Sequence, residues 1–136
     1  MQPTTPRDFL KLSLQRLTAA EQIMNNLLLT LEAQYIGGYS VECSFKALIL
    51  EKTAEADRPA LLDRLTYGST YHKPEPLLAR LRERGVFLTP ELAGRMRRFD
   101  WTTDLRYEIG RKDTCETNGL LRTARTIYEW AEVQIS

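Results

Sequence analysis

The chain has 136 residues and is 43% hydrophobic and 27% charged, the composition of one ordinary globular domain over residues 1–136. Its 19 basic and 18 acidic residues give a net charge of +1, which excludes a chain that coats nucleic acid through overall positive charge. No apolar run reaches the roughly 20 residues that cross a bilayer, and the first residues lack the pattern of a signal peptide. We therefore expect a cytoplasmic protein that does not associate with membranes.

Residues that usually bind metals are few. The chain has one histidine, His72, and two cysteines, Cys43 and Cys115. Zinc ribbons and paired-histidine metal sites need more ligands of these types than the chain supplies. We therefore expect no metal and no other cofactor.

The first predicted element is a long helix. Apolar residues recur every seven positions near the start of the chain, at Leu10, Leu17, Met24 and Leu31. This helical periodicity predicts a helix over roughly residues 6–32. Thr5, Pro6 and Asp8 supply an N-cap, a proline suited to the first helical position and an acidic group near the positive end of the helix.

A second predicted helix covers roughly residues 34–54. Val41 and Phe45 share one apolar face of this helix. Gly37 and Gly38 interrupt the pattern, and such a pair either marks a loop or lets another helix approach closely. We favour close packing against the first helix.

Only short helices are predicted between the second helix and the last one. A short helix ends at Gly68, a loop covers residues 71–76, a further helix ends before Gly85, and another covers residues 90–99. The last helix begins near Asp113 and presents one apolar face. That face is formed by Leu120, Leu121, Ala124, Ile127, Tyr128, Ala131 and Ile135. No segment alternates with the two-residue period of a strand, so the predicted fold class is all-α.

Residues 80–98 hold six arginines and two acidic residues. This local excess of positive charge suits a phosphate or an acidic partner. The alternative, which we favour, is a solvated helix face on which the arginine stems cover apolar surface. The arginines are Arg80, Arg82, Arg84, Arg95, Arg97 and Arg98.

Residues 101–113 combine aromatic, basic and acidic side chains without a clear periodicity. Side chains of these types suit phosphate contact and base stacking. The interpretation we favour is a loop in which Trp101 fills the core while Asp104 and Arg106 form a local ion pair.

Two further features of the sequence bear on chemistry. Glu42 and Lys46 stand four residues apart on the second helix, where an exposed ion pair is favourable. We favour this surface pair over a pair that faces the bundle and braces the loop around Arg106. His72 is the side chain suited to proton transfer near neutral pH, but no partner that would assist it stands out, so we favour a packing role.

The stretch from Gly38 to Leu50 contains an aromatic residue, a glutamate and the run Lys-Ala-Leu. It resembles the second helix of HEPN domains, and a long first helix precedes it as in that family. The resemblance covers about residues 8–134, and further features follow in the family's order. These are His72 before Leu77 and Leu78, the run Leu105-Arg106-Tyr107, and Trp130 in the last helix.

The resemblance implies an all-α up-and-down bundle, here with short extra helices between the second and last long helices, that forms a homodimer. Many members of the family cleave RNA without a metal, using an arginine and a histidine with four to six residues between them. Arg106 matches the arginine, but Arg111, Lys112 and Asp113 stand where the histidine would fall. An arginine or lysine supplies no base near pH 7.

We therefore expect a binding module without catalytic activity. By resemblance, its ligand is a nucleotide, RNA or a partner protein such as a nucleotidyltransferase. The expected contact residues are Arg106, Tyr107, Arg111 and Lys112, with support from Glu42, Lys46 and Asp104. The alternative is a metal-independent endoribonuclease in which Arg106 binds the phosphate and His72 is the displaced base.

Overall fold

A computed structural model of the chain describes residues 1–67, 72–99 and 101–135. These residues form α-helices and no strand, which confirms the predicted all-α class. The predicted short helices between the second helix and the last one are also present. The helices are α1 (Pro6–Leu27), α2 (Thr30–Glu51), α3 (Arg58–Tyr67), α4 (Pro74–Glu83), α5 (Pro90–Arg97) and α6 (Thr114–Glu132), with 3-10 turns at Glu55–Asp57 and Thr103–Tyr107. None of these helices has the length and hydropathy needed to cross a membrane.

The boundary between the first two helices differs from the prediction. α1 ends at Leu27, and Leu28 closes it in the left-handed conformation, with φ of 52°. α2 then begins at Thr30, so the predicted limits at 32 and 34 were wrong. The apolar pattern continues through the break without a glycine or a proline, so the sequence carries none of the usual stop signals there. The predicted start is confirmed, because Thr5 and Asp8 form a capping box.

The shorter helices follow the predicted cap signals, with one shift. Gly85 follows α4 with a positive φ of 75°, and Thr89 caps α5 by accepting a hydrogen bond from the Leu92 amide. α4 already begins at Pro74, inside the predicted loop, because proline is favourable at the first helical position. Gly68, where a helix was expected to end, lies outside the described residues.

The last helix is capped as predicted. The Asp113 carboxylate accepts a hydrogen bond of 2.8 Å from the Glu116 amide. The predicted apolar face is buried, which confirms it. Ile135 is buried although α6 ends at Glu132.

α2 is the central helix of the bundle. It packs against α1, α4 and α6, and every residue from Ser40 to Leu50 is buried. A helix that is buried on all sides has no solvent face for its polar residues, so each needs an internal partner. Ser13 of α1 meets this need by hydrogen bonding to the Ser40 carbonyl and the Ser44 hydroxyl, at 2.8 and 2.7 Å.

Gly37 and Gly38 lie within α2 and permit close packing, as predicted, but the main neighbours are not on the first helix. A β-carbon at Gly37 would lie 2.6 Å from Leu121 Cδ2 of α6, and one at Gly38 would overlap the Trp101 indole ring. The α1 neighbour, Ala20, would lie at an ordinary 3.7 Å. The predicted partner was wrong because a pair of glycines indicates close packing but does not identify the element that packs against it.

Replacing Gly38 with alanine tests this close approach. We expect Gly38→Ala to lower the free energy of unfolding by about 1–3 kcal/mol, because Trp101 must move from a packed position. Urea denaturation measures the effect. In the matched control Gly119→Ala on α6, the new β-carbon meets no neighbour closer than 4.0 Å, so stability should hold or rise. Equal stability of Gly38→Ala and the wild type would contradict the packing.

Candidate ligand-binding site

A pocket of about 440 Å³ opens between α1, the central helix α2 and His72, which lies just before α4. We call it the Glu42 pocket. Phe9, Leu12 and Leu65 supply apolar parts of its wall. Its side chains capable of polar contacts are Gln2, Arg16, Tyr35, Tyr39, Glu42, Cys43, Lys46, Thr66 and His72. An apolar pocket with a few converging polar groups is the usual form of a small-molecule site.

Glu42 and Lys46 form a buried ion pair at the wall of this pocket. Lys46 Nζ lies 2.7 Å from Glu42 Oε2 and also donates a hydrogen bond of 2.6 Å to the Leu65 carbonyl of α3. The two side chains are 7% and 5% exposed, so the favoured surface pair was wrong. The i,i+4 spacing does not reveal whether a pair faces solvent, and here α2 is enclosed. The pair joins α2 to α3 through the Leu65 carbonyl, whereas the alternative that we considered, a pair facing the bundle, had it brace the Arg106 loop.

His72 has the helper that the sequence did not reveal. Its Nδ1 lies 3.2 Å from Glu42 Oε2, and its side chain is 32% exposed. An ionised carboxylate only accepts hydrogen bonds, so this contact requires an N–H at Nδ1 and leaves Nε2 outside it. This is the arrangement that orients a histidine for proton transfer. Thirty sequence positions separate the two residues, so no local motif could show it.

The second oxygen of the Glu42 carboxylate has no partner. Glu42 Oε1 is buried and accepts no hydrogen bond from any residue that the structure describes. Leaving a buried charged group unsatisfied costs at least about 1–3 kcal/mol, so such a group calls for a partner. A ligand in the pocket that carries an N–H or O–H donor would supply one.

The environment keeps two reactive side chains of the pocket protonated. Burial, the hydrogen bond of 3.2 Å with Tyr35 and the nearby Glu42 charge raise the pKa of Tyr39, while Arg106 lowers it. Burial raises the pKa of Cys43 to about 12, so its thiol is a poor nucleophile at neutral pH. Tyr39 therefore offers a neutral hydroxyl and an aromatic face. Cys43 is a buried residue of α2.

The predicted contact residues Arg106 and Tyr107 lie outside this pocket, on the exposed 3-10 turn. The Arg106 guanidinium stacks 4.8 Å from the centre of the Tyr107 ring, and Tyr107 is 74% exposed. The predicted ion pair between Asp104 and Arg106 is absent among the described residues. Trp101 is buried and donates a hydrogen bond of 3.1 Å to the Tyr35 carbonyl. This confirms that it fills the core, so it is not available for base stacking.

Arg111 and Lys112, the other two predicted contacts, hold their segment against the junction of α1 and α2. Arg111 Nη2 donates a hydrogen bond of 2.8 Å to the Leu28 carbonyl. The Lys112 amide donates one of 2.9 Å to the Thr30 hydroxyl, and its ammonium pairs with Glu108 at 2.8 Å. Neither residue lines the Glu42 pocket, and their role as ligand contacts stays a prediction.

The arginine-rich stretch does not form one basic patch. Arg80 pairs with Glu83, and Arg82 pairs with Glu75, both on the exposed surface. Arg84 turns inward to the Thr53 hydroxyl at 3.2 Å. These contacts agree with the favoured interpretation of a solvated helix face. Arg95 and Arg98 differ, because they line a separate pocket with Arg122 of α6.

Sequence reasoning missed Arg16 and Tyr35 of the Glu42 pocket and used Tyr39 only through the resemblance. A signal for the α2 side of the pocket was present. Tyr35, Tyr39, Glu42 and Lys46 are spaced three or four residues apart, which places them on one face of a helix. The contribution of Arg16 could not be predicted in the same way, because no local sequence pattern shows that this part of α1 lies beside that face of α2.

Comparisons with protein-family models, curated proteins and solved structures find no match for this chain. The HEPN resemblance therefore stays a prediction from the sequence. Within the described ranges, no group of three or more histidine, cysteine, aspartate or glutamate residues is placed to hold a metal ion.

Proposed function

We propose that this protein is a binding module whose ligand is a nucleotide held in the Glu42 pocket. The unpartnered buried oxygen of Glu42 carries the proposal, because it requires a donor that the described residues do not provide. The amino groups of nucleobases and the hydroxyls of ribose are such donors. A ligand of this class satisfies Glu42 from inside the pocket.

The other groups of the pocket suit the rest of a nucleotide. Tyr35 and Tyr39 form an edge-to-face pair with ring centres 5.2 Å apart, which offers an aromatic surface to a base. Arg16 is exposed and forms no ion pair with any described residue, so its guanidinium is free to bind a phosphate. Arg16 and Lys46 outweigh Glu42 in charge, which favours an anion.

Binding without turnover fits the arrangement better than catalysis by Arg106 and His72 together. His72 lines the Glu42 pocket and Arg106 does not. Tyr39 lies within electrostatic reach of both Glu42 and Arg106, so a longer ligand such as RNA would extend toward Arg106 and Tyr107. A protein partner such as a nucleotidyltransferase is supported by the family resemblance.

A cytoplasmic location is also part of this proposal. Both cysteines are free thiols, which is typical of cytoplasmic proteins.

Nucleotide binding is tested with the four ribonucleoside 5′-monophosphates and the variant Arg16→Gln. We expect at least one of them to shift backbone amide resonances around the Glu42 pocket. We expect Arg16→Gln to weaken that binding about tenfold or more, because a charge-assisted hydrogen bond is lost. The control Arg7→Gln removes the same charge from α1 on the opposite helical face and should leave affinity unchanged.

Two results would contradict the nucleotide proposal. One is the absence of any shift with all four monophosphates at millimolar concentration. The other is an equal loss of affinity in Arg16→Gln and Arg7→Gln, which would indicate attraction to overall charge and not a site.

A second candidate function is metal-independent RNA cleavage, favoured by the hydrogen bond between Glu42 and His72. In this scheme His72 Nε2 removes the proton of a ribose 2′-hydroxyl, whose oxygen attacks the adjacent phosphorus. The bond to the 5′-oxygen breaks and that oxygen takes up a proton. General base catalysis of this kind contributes about 10²–10⁴-fold.

Incubating labelled RNA with the protein in EDTA separates the two candidates. We expect no cleavage by wild type, His72→Gln or Arg106→Ala, and retention of RNA that falls in Arg106→Ala if RNA is the ligand. Cleavage by the wild type that is lost in His72→Gln, with RNA retention unchanged, would establish the nuclease and overturn the proposal of binding without turnover.

We also propose that the protein is a homodimer, as the resemblance implies. Support comes from exposed apolar side chains at the junction of α1 and α2, where Leu27 and Leu28 are 63% and 53% exposed. Ile109, which is fully exposed, lies two residues before Arg111, the residue that binds the Leu28 carbonyl. Apolar surface of this kind is typical of contacts between copies of a chain.

Light scattering tests the dimer. We expect twice the 15.7 kDa chain mass at micromolar concentration, and a monomer for Ile109→Lys, because the lysine charge would have to be buried at the contact. The control Val133→Lys changes an exposed valine at the end of α6 and should leave the mass unchanged. A monomeric wild type would contradict the dimer.

A further inference from the structure

A second pocket, of about 330 Å³, lies between α5 and the first half of α6. We call it the Arg122 pocket. It shares no lining residue with the Glu42 pocket, so neither the proposed nucleotide site nor its test bears on it. Phe99 and Leu120 supply its apolar surface.

Three guanidinium groups line the Arg122 pocket. Arg95 comes from α5, Arg98 is the residue that ends α5, and Arg122 projects from α6. Glu116 is the acidic residue among the lining side chains, so the wall has an excess of positive charge. Arg122 lies outside the arginine-rich stretch of residues 80–98 and joins Arg95 and Arg98 only because α5 packs against α6.

Two of these arginines are free to bind a ligand. Arg95 is occupied, because it pairs with Glu91 at 3.0 Å and donates to the Thr126 hydroxyl at 3.2 Å. Arg98 and Arg122 are exposed, and their side chains make no hydrogen bond or ion pair with any residue in the described part of the chain. Their N–H groups form a fork geometry that matches the oxygens of a phosphate.

Thr123 of α6 adds a hydroxyl to the wall of the pocket. The residue as a whole is 7% exposed, and no described residue forms a hydrogen bond with its hydroxyl. Its oxygen is not among the buried side-chain atoms without a partner, so it is accessible from the pocket. The pocket therefore combines an accessible hydroxyl donor, two unpaired guanidinium groups and a third that is held in place by Glu91.

We propose that the Arg122 pocket binds a phosphate monoester group of a small molecule. A phosphate monoester carries a charge between about −1.5 and −2 at pH 7, which matches the excess of arginine over glutamate better than a single carboxylate does. The Thr123 hydroxyl donates to one phosphate oxygen while Arg98 and Arg122 donate to others. Phe99 and Leu120 contact the organic part of the ligand.

Phenyl phosphate is the probe that tests this site, with benzoate and inorganic phosphate compared at constant ionic strength. We expect resonance shifts at Thr123 and Gly119 and binding by phenyl phosphate that is tighter than by benzoate. Arg98→Gln and Arg122→Gln should each weaken it about tenfold or more, since each loses a charge-assisted contact. The control Arg97→Gln removes a neighbouring exposed charge that does not line this pocket and should bind as the wild type does.

Each outcome decides the proposal or the source of the phosphate. Two results would overturn the proposal. One is equal weakening of binding in Arg97→Gln, Arg98→Gln and Arg122→Gln. The other is the absence of saturable binding of either phosphate at 10 mM, a concentration that is about the upper limit for a specific weak ligand. Tighter binding of phenyl phosphate than of inorganic phosphate assigns the site to an organic phosphate, and equal binding assigns it to the free anion. Arg16→Gln should bind phenyl phosphate as the wild type does. Failure of the nucleotide proposal can therefore be told apart from failure of the phosphate proposal.

Discussion

The buried ion pair of Lys46 and Glu42 is the interaction on which the site depends. Moving each charge out of water costs several kcal/mol, and the pair recovers this only through close contacts. The Lys46 ammonium has two, the Glu42 carboxylate and the Leu65 carbonyl, and these fix α3 against the central helix. Apolar residues in place of such a pair often give equal or greater stability, so stability alone does not account for it. What the pair does achieve is to hold an ionised carboxylate at the pocket wall, with one oxygen bonded to His72 and Lys46 and the other unpartnered.

The fold was largely predictable because its signals are local. Thr5, Thr89 and Asp113 cap helices through contacts within four residues, and the apolar face of α6 repeats with the helical period. The break at Leu28 was not predictable, because no glycine or proline marks it. The left-handed Leu28 bonds through its amide to the Met24 carbonyl and through its carbonyl to Arg111, which is 83 positions away. The glycine pair showed the same limit. Its sequence indicated a close approach, but only the assembled bundle shows that Trp101 and Leu121 are the neighbours.

The candidate sites were less predictable, because they are made by contacts between distant residues. His72 and Glu42 are separated by 30 positions, and Arg122 joins Arg95 and Arg98 only across the contact of α5 with α6. Residues singled out by their types alone lie in different parts of the fold. Glu42, Lys46 and His72 do meet in one pocket, whereas Arg111 and Lys112 bind backbone and hydroxyl groups at the junction of α1 and α2. Residue type therefore identified capable side chains, but helix packing decided which of them converge.

The distribution of charge explains how a nearly neutral chain can favour anions. Most arginines of residues 80–98 have neutralising or hydrogen-bonding partners, as Arg80, Arg82 and Arg95 do with nearby glutamates. The cations without such partners among the described side chains include Arg16 at one pocket and Arg98 and Arg122 at the other. Long nucleic acids are bound through many phosphate contacts along a basic surface, which a chain with a net charge of +1 does not offer as a whole. A few unpaired guanidinium groups beside the apolar walls of a pocket suit small phosphorylated ligands better, because within about 10 Å the local charge outweighs the neutral remainder of the protein.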